Sequence, residues 1–240
     1  MLSILYIYTT AFSHMEHLLL LHGALGHPGY FDFIKEKFSG IYTLHTPVFE
    51  GHAGEPFTEL SIGAYVAQIN KYCMENDLDQ VSIFGYSMGG YVGLCYAAQF
   101  PEKVTAIMTL ATKLNWSPEI AAKEAGMLDP AVIKEKVPRF ADYLHQLHGE
   151  DWEQLCSTVA TLLSDLGAKP LLTGSEFGAI RAKAQLMVGD KDNMVSVEET
   201  FNAARQIKES SFAVLPATIH PFEKVNRPLV LKLMEDFFKV

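Results

Sequence analysis

Short apolar runs alternate along the chain with longer stretches in which apolar residues recur every three or four positions. Such runs are typical of strands buried on both faces of a parallel sheet, and the wider spacing is typical of helices that bury one face. The predicted strands are His17–Leu21, Ile41–Leu44, Gln80–Phe84, Val104–Leu110, Ala184–Val188 and Ser211–Leu215. The predicted helices are Tyr30–Phe38, Thr58–Asn76, Tyr91–Ala98, Val197–Ile207 and Leu229–Phe238. This alternation predicts an α/β fold with a mostly parallel, doubly wound sheet flanked by helices.

The alternation stops at about Lys113, and helical patterns dominate from there to about Ile180. Long connections without structure of their own are uncommon in compact domains, so we expect an inserted helical cap over the carboxyl edge of the sheet. Ordinary helices of the main layer are the alternative. The predicted organisation is a core from 1–112 and 181–240 with a cap at 113–180. The predicted cap helices are Pro118–Ala125, Pro130–Leu147 and Trp152–Leu166, the second of them divided by Pro138.

The composition indicates a single acidic domain. Of the 240 residues, 49% are hydrophobic and 20% are charged, which suits one well-filled core. The net charge of −9 disfavours a nucleic-acid partner, because a phosphate backbone attracts a basic face. Cys73, Cys95 and Cys156 are widely spaced, so neither a disulfide framework nor a zinc site is predicted, and this usage fits a reducing cytoplasm.

The N-terminal stretch of the sequence has more than one possible role. Leu2–Phe12 is apolar, and Ala11-Phe12-Ser13 weakly resembles a signal-peptide cleavage site, but no Lys or Arg precedes it. An edge strand, or an extension before an internal start at Met15, is favoured over a signal. No apolar run approaches the length of about 20 residues that spans a bilayer.

The stretch Gly85-Tyr86-Ser87-Met88-Gly89 lies between a predicted strand and a predicted helix. A serine between two glycines in a tight strand-to-helix turn is the pattern of a nucleophile elbow, which holds the serine in a strained conformation with its hydroxyl exposed. Side chains at Gly85 and Gly89 would collide with the neighbouring strand or helix. The helix that follows directs its positive end towards the serine.

A serine hydroxyl needs a base, and the base needs an orienting carboxylate. His220 follows the last predicted strand and is the candidate base. Asp192 and Asp190 both follow Gly189 after the strand before it, and either could orient the imidazole. The order serine, acid, histidine is the one expected for an elbow of this type.

With these motifs in order, the chain resembles the α/β-hydrolase superfamily from about His17 to Phe238. The resemblance rests on His22–Gly26, Gly85–Gly90, Gly189–Asp192, His220 and, after the elbow helix, Pro101–Val104. It implies a catalytic triad of Ser87, Asp192 and His220, because the family's acid usually lies three positions after the glycine. Two departures are visible: Ile219 stands where the family often has glycine, and the loop Phe49–Glu55 matches the family pattern poorly and receives no function.

The resemblance also implies an oxyanion hole, in which two backbone N–H groups point at the carbonyl oxygen. One donor is Met88, directly after the nucleophile. The other comes from the glycine loop, with Ala24 preferred and Leu25 as the alternative. His22 is expected to shape this loop rather than to transfer protons. His145 and His148 are expected on a solvated face of the cap, with a substrate contact as the alternative.

The leading hypothesis is a serine hydrolase acting on a small or medium ester, thioester or lactone, with no metal or organic cofactor. A carbon–carbon bond hydrolase or lyase using the same triad is one alternative, and a ligand-binding protein with little turnover is another. Epoxide hydrolases and dehalogenases are disfavoured because they resemble this pattern with Asp in place of Ser87. The candidate substrate contacts are Leu25, Tyr86, Trp116, Phe140 and Tyr143, with Leu144, Trp152 and Leu155 as further apolar candidates; for each cap residue, plain packing is the alternative.

Overall fold

The computed structural model describes residues 15–57 and 60–239. Residues 1–14 lie outside the described residues, and so does the choice between an edge strand, an upstream extension and a signal peptide. The strands form a six-stranded sheet in the order β2-β1-β3-β4-β5-β6, and every neighbouring pair is parallel. This arrangement confirms the predicted fold class. The strands are β1 His17–Leu21, β2 Thr43–His45, β3 Val81–Tyr86, β4 Val104–Leu110, β5 Lys183–Gly189 and β6 Ser210–Leu215.

Helices connect these strands and cover both faces of the sheet. They are α1 Asp32–Phe38, α2 Ile62–Glu75, α3 Met88–Gln99, α4 Pro118–Gly126, α5 Pro130–Lys136, α6 Pro138–His148, α7 Trp152–Ala168, α8 Gly174–Ala179, α9 Val197–Ala204 and α10 Arg227–Phe238. Pro138 separates α5 from α6, as predicted. None of the helices in the described ranges is both long and apolar enough to cross a lipid bilayer.

Local hydrogen bonds explain where the observed elements differ from the predicted ones. β2 begins at Thr43 rather than Ile41 because the N–H groups of Ile41 and Tyr42 both donate to the carbonyl of Phe38 at the end of α1. α2 begins at Ile62 because Ser61 caps it, its hydroxyl accepting the N–H of Ala64 at 3.0 Å.

Alternate side chains of the central strands enter two separate cores, as a sheet covered on both faces requires. Leu19 and Leu21 of β1 point into the core that includes α2, α3 and α9. Leu18 and Leu20 point into the core that includes α1 and α10. The functional loops are thereby held at one edge of a rigid sheet.

Helices α4–α8 lie between β4 and β5 in the chain. α4 packs on α7 so closely that a Cβ at Gly167 would overlap the side chain of Ala121. The segment before α8 is tied to α3, because the hydroxyl of Tyr91 accepts the N–H groups of Leu171 and Leu172 at 3.0 and 3.1 Å. These helices are therefore attached to the sheet layer through specific contacts.

Candidate active site

Ser87 occupies a strained turn between β3 and α3. Its backbone has φ 51° and ψ −119°, and it is the N-terminal cap residue of α3. Its N–H donates to the carbonyl of Leu110 at 2.9 Å, and its carbonyl accepts the hydroxyl of Thr112 at 3.2 Å. A Cβ at Gly85 would lie 2.5 Å from the Cα of Gly90, and one at Gly89 would overlap the carbonyl oxygen of Leu21. The turn therefore requires glycine on both sides of the serine.

His220 lies between Ser87 and Asp192. Its Nε2 is 3.3 Å from the hydroxyl oxygen of Ser87, and its Nδ1 is 2.9 Å from Oδ2 of Asp192. A neutral imidazole with its proton on Nδ1 donates to the carboxylate and leaves Nε2 free to accept from the serine hydroxyl. This is the arrangement in which a histidine can act as a general base.

Asp192, rather than Asp190, faces the histidine. The Oδ1 of Asp192 accepts the N–H groups of Met194 and Val195, each at 2.9 Å. Burial acts to raise the pKa of Asp192, but the hydrogen bond and charge of His220, with these two N–H groups, bring it below its ordinary value. The carboxyl of Asp190 instead accepts the N–H of Thr218 at 3.2 Å and supports the neighbouring loop.

A hydrogen bond from Tyr86 fixes the backbone of the loop that carries His220. The hydroxyl of Tyr86 donates to the carbonyl of His220 at 2.9 Å, and burial raises the pKa of Tyr86, which keeps it a donor. Ala217 turns this loop with φ 50°. Ile219, where the family often has glycine, is 43% exposed and directed away from the interior, so His220 still reaches the serine.

Backbone N–H groups of the loop after β1 lie beside Ser87, and among the described residues not all of them are used in hydrogen bonds. The N–H of Leu25 donates to Nε2 of His52 at 3.2 Å, so it is already used. Within the described residues, the N–H groups of Ala24 and Met88 have no protein acceptor. The alternative of Leu25 as a donor is thus disfavoured, and Ala24 with Met88 remains the predicted pair.

Three buried histidines fix this loop, and we call His22, His52 and His148 the histidine clamp. His52 accepts from Leu25 on one side, and His148 Nε2 is 3.0 Å from the carbonyl of Leu25 on the other. His148 Nδ1 accepts the N–H of Ala53 at 3.0 Å, which leaves Nε2 as its donor. The expectation that His148 is solvated was wrong: it is 4% exposed and bonds the loop, whereas His145 is exposed beside Glu150.

His22 completes the clamp from inside the glycine loop. Its Nε2 accepts the N–H of Phe49 at 3.2 Å, and its Nδ1 lies 2.9 Å from the carbonyl of Gly23. Burial lowers the pKa of His22 to about 4 and lowers the pKa values of His52 and His148 as well. All three imidazoles are therefore neutral near pH 7, as their role as acceptors of backbone N–H groups requires. The loop Phe49–Glu55, to which the sequence assigned no function, supplies His52 to this arrangement.

A cavity of about 330 Å³ opens beside Ser87 and His220. Four of the candidate substrate contacts, Leu25, Tyr86, Trp116 and Phe140, line it. Tyr143 is not among the lining residues and instead donates its hydroxyl to that of Tyr30, which does line it, at 3.2 Å. The further apolar candidates are packed in the core: Leu144, Trp152 and Leu155.

Glu124 also lines this cavity, and the sequence analysis missed it. It is 3% exposed and stands on the face of α4 that buries Ala121. With Ala121 and Leu128 it follows helical spacing, so an acidic residue within an apolar stripe was the available signal.

In the described ranges, no group of three or more histidine, cysteine, aspartate or glutamate side chains is arranged to hold a metal ion. The clamp histidines use their ring nitrogens on backbone groups.

A family model for the alpha/beta hydrolase fold matches residues 16–209. The chain belongs to this family. The resemblance inferred from the motifs is confirmed at the level of the family and its fold. The assignment of roles to individual site residues remains a prediction.

Among curated proteins, the chain is 32% identical over 110 residues to the pimeloyl-[acyl-carrier protein] methyl ester esterase of Citrobacter koseri. This match covers 45% of the chain and 40% of that protein, so it spans less than half of the relative's length.

Solved structures resemble the whole fold. One, from a study of carboxylesterases of Nitrososphaera gargenis, has a TM-score of 0.75 and 17% identity and covers 94% of this chain and 92% of that chain. The enol-lactonase of Burkholderia xenovorans LB400 has a TM-score of 0.76 and 16% identity, with 95% and 92% covered. At these identities the likeness concerns the fold alone.

Proposed function

We propose that this protein is a serine hydrolase that cleaves a small or medium carboxylic ester, thioester or lactone through an acyl-serine intermediate. The observation that carries the proposal is the position of His220, within hydrogen-bonding distance of both Ser87 and Asp192. The relatives whose names describe an ester esterase, carboxylesterases and an enol-lactonase support chemistry at ester bonds.

In the first half of the reaction, the Ser87 oxygen attacks the substrate carbonyl carbon while its proton passes to Nε2 of His220. The buried Asp192 carboxylate stabilises the imidazolium that forms. The carbonyl oxygen becomes an oxyanion that accepts the N–H groups of Ala24 and Met88, each worth about 3 kcal/mol by analogy with measured donors. The tetrahedral intermediate then expels the alcohol or thiol, which takes its proton from His220, and leaves the acyl-serine.

In the second half, His220 removes a proton from water as the water oxygen attacks the acyl carbon. The new tetrahedral intermediate uses the same two N–H groups. Its collapse breaks the bond to Ser87, whose oxygen recovers the proton from His220, and releases the acid. The positive end of α3, which begins at Met88, favours the negative charge at each stage.

Residues 113–180 act in this proposal as a cap that forms the outer wall of the substrate cavity. The support is that α4, α6 and α7 contribute apolar side chains to a cavity that also includes Ser87: Met127 and Leu128 after α4, Phe140 from α6, and Leu163 and Leu166 from α7. A volume of about 330 Å³ is at the small end for ligand pockets and suits a small or medium acyl group.

The test is covalent labelling with a fluorophosphonate probe followed by intact mass measurement. We expect one adduct on the wild type, none on Ser87→Ala and a much slower reaction of His220→Ala. Ser157→Ala, which removes an exposed hydroxyl from α7, is the matched control and should label like the wild type. A series of p-nitrophenyl esters then measures the acyl length that the cavity accepts. An unlabelled but folded wild type, or an adduct retained by Ser87→Ala, would overturn the proposal.

A further inference from the structure

Glu124 carries a buried carboxyl group that has no partner among the described residues. The residue is 3% exposed, and within the described part of the chain its Oε2 has no hydrogen-bond partner. A carboxyl group withdrawn from water without a compensating hydrogen bond costs folding free energy in either protonation state. Such groups are uncommon in native proteins, and each calls for a reason.

The basic residues that line the cavity do not neutralise Glu124. Of the lining residues, only Lys113 and His220 are basic. Lys113 donates to the carbonyl of Met194 at 2.7 Å and lies 3.6 Å from the carboxylate of Glu199. His220 is bonded to Ser87 and Asp192. Within the described ranges, no basic side chain of the cavity wall therefore pairs with the Glu124 carboxyl.

A second residue of the same cavity wall also has a polar atom without a partner in the described part of the chain. The indole N–H of Trp116 is buried and, in the described ranges, donates to no protein group. Trp116 and Glu124 both line the cavity that includes Ser87, while Leu128, Leu163 and Leu166 make its neighbouring walls apolar. Two residues that each carry an unused polar atom, one an acceptor and the other a donor, thus line the same largely apolar pocket.

We propose that Glu124 and Trp116 form a polar subsite that recognises a hydroxyl or amino group on the substrate chain. This group donates a hydrogen bond to Glu124, and an oxygen on the same ligand accepts the N–H of Trp116. The inference rests on the proposed hydrolase function, since that function places the acyl chain of the substrate in the cavity beside Ser87. It narrows the substrate class from plain alkyl esters to hydroxy- or amino-substituted ones.

The subsite can be tested by binding alone, with the acids that such esters would release. Isothermal titration of the wild type compares n-alkyl acids with ω-hydroxy and ω-amino acids of matched length, over chains of about four to eight carbons. At the chain length that binds most tightly, we expect the ω-hydroxy or the ω-amino acid to bind about tenfold more tightly than the isosteric alkyl acid. The hydroxy and amino series distinguish a neutral ligand from a charged one.

Two substitutions then assign the preference to the two residues. Glu124→Met, which is apolar and similar in volume, should remove the preference and tighten binding of the alkyl acid. Trp116→Phe should weaken binding of the hydroxy acid only. Glu119→Gln on the exposed side of α4 is the control and should leave the order unchanged. If Glu124→Met does not fold, Glu124→Gln replaces it in the titration. We then expect the ω-amino acid ligand to lose more affinity than the ω-hydroxy acid ligand.

The inference is overturned if the wild type prefers the alkyl acid at every length, or if Glu124→Met leaves the order of ligands unchanged. Labelling of Ser87 separates this failure from that of the hydrolase proposal. A labelled Ser87 without a polar preference would refute the subsite alone. A polar preference without labelling would support a ligand site and refute the hydrolase.

Discussion

The backbone N–H of Leu25 donates to Nε2 of His52 at 3.2 Å, across 27 positions of sequence. This bond anchors the loop after β1, in which the neighbouring N–H of Ala24 has no protein acceptor among the described residues. Leu25 adopts φ 53°, a conformation that a leucine rarely takes and that the surrounding bonds must hold. The proposed oxyanion hole therefore depends on a histidine that need not touch substrate.

Replacing His52 should reduce kcat more than it raises KM. His52→Phe keeps a ring but removes the acceptor, so we expect the loop to lose its geometry and kcat to fall about ten- to hundredfold. His52→Gln, whose amide oxygen can accept the Leu25 N–H, should recover part of the loss. Steady-state kinetics on a p-nitrophenyl ester measure both, and His145→Phe on the exposed surface is the control. An equal effect of both His52 variants on KM alone would contradict the positioning role.

Asp192→Asn should reduce kcat by about 10⁴, by analogy with a measured triad carboxylate. The asparagine amide can donate to Nδ1 of His220 and so favour the tautomer that cannot accept from Ser87. Asp190→Asn is the matched control, because that carboxyl supports the loop through Thr218 and not through His220. We expect it to change kcat less than tenfold. Similar losses in the two variants would contradict the assignment of the acid.

The protein should lose stability as the pH falls from about 6.5 towards about 4. Burial lowers the pKa of His22 from 6.5 to about 4 and lowers those of His52 and His148, so the unfolded chain binds more protons across this interval. The contribution of the clamp is therefore fully present above pH 6.5 and decreases with acidification. For His22 alone, the difference in pKa corresponds to about 3 kcal/mol.

Urea unfolding at pH values from about 7 down to about 4.5 measures this loss. Asp192 acts in the same direction, but only below its ordinary pKa of 3.8, so it does not obscure the histidine range. His22→Asn should flatten the pH dependence even if it lowers the stability at neutral pH. A stability that stays constant over the range in the wild type would contradict the neutral, buried state of the clamp.

Two glycine substitutions should have opposite effects on stability. Gly89→Ala places a methyl group on the carbonyl of Leu21 and should destabilise the fold by about 3 kcal/mol or more. Gly126→Ala, at the exposed end of α4 where a Cβ meets nothing within 4 Å, should stabilise it by up to about 1 kcal/mol. Thermal unfolding of the two variants provides the comparison. A well-folded, active Gly89→Ala protein would contradict the close packing at the elbow.

The sequence predicted the features that depend on short-range pattern. The strands, the glycines around Ser87 and the break at Pro138 each reflect local geometry, and the structure has them. The distance between His220 and Ser87 depends on how β6 and β3 sit in the sheet, and only the order of the motifs indicated it. The catalytic roles of these residues remain predictions.

The contacts that the sequence did not reveal join distant segments. His148 and Leu25 are 123 positions apart, and helical periodicity could not show that the last residue of α6 folds onto the glycine loop. Glu124 differs, because its apolar neighbours at helical spacing were a signal of burial that went unused. That its Oε2 has no partner among the described residues is visible only in the folded chain.

The bond between His148 and Leu25 joins the outer helices to the loop that is proposed to stabilise the oxyanion. Any motion that lifts α6 from the sheet breaks this bond and removes one of the two imidazoles that hold Leu25. In the proposed mechanism, substrate entry by that route and catalytic competence are then thermodynamically linked. A half-open enzyme would be a poor catalyst, so water reaching Ser87 through the gap would meet an incomplete reaction centre.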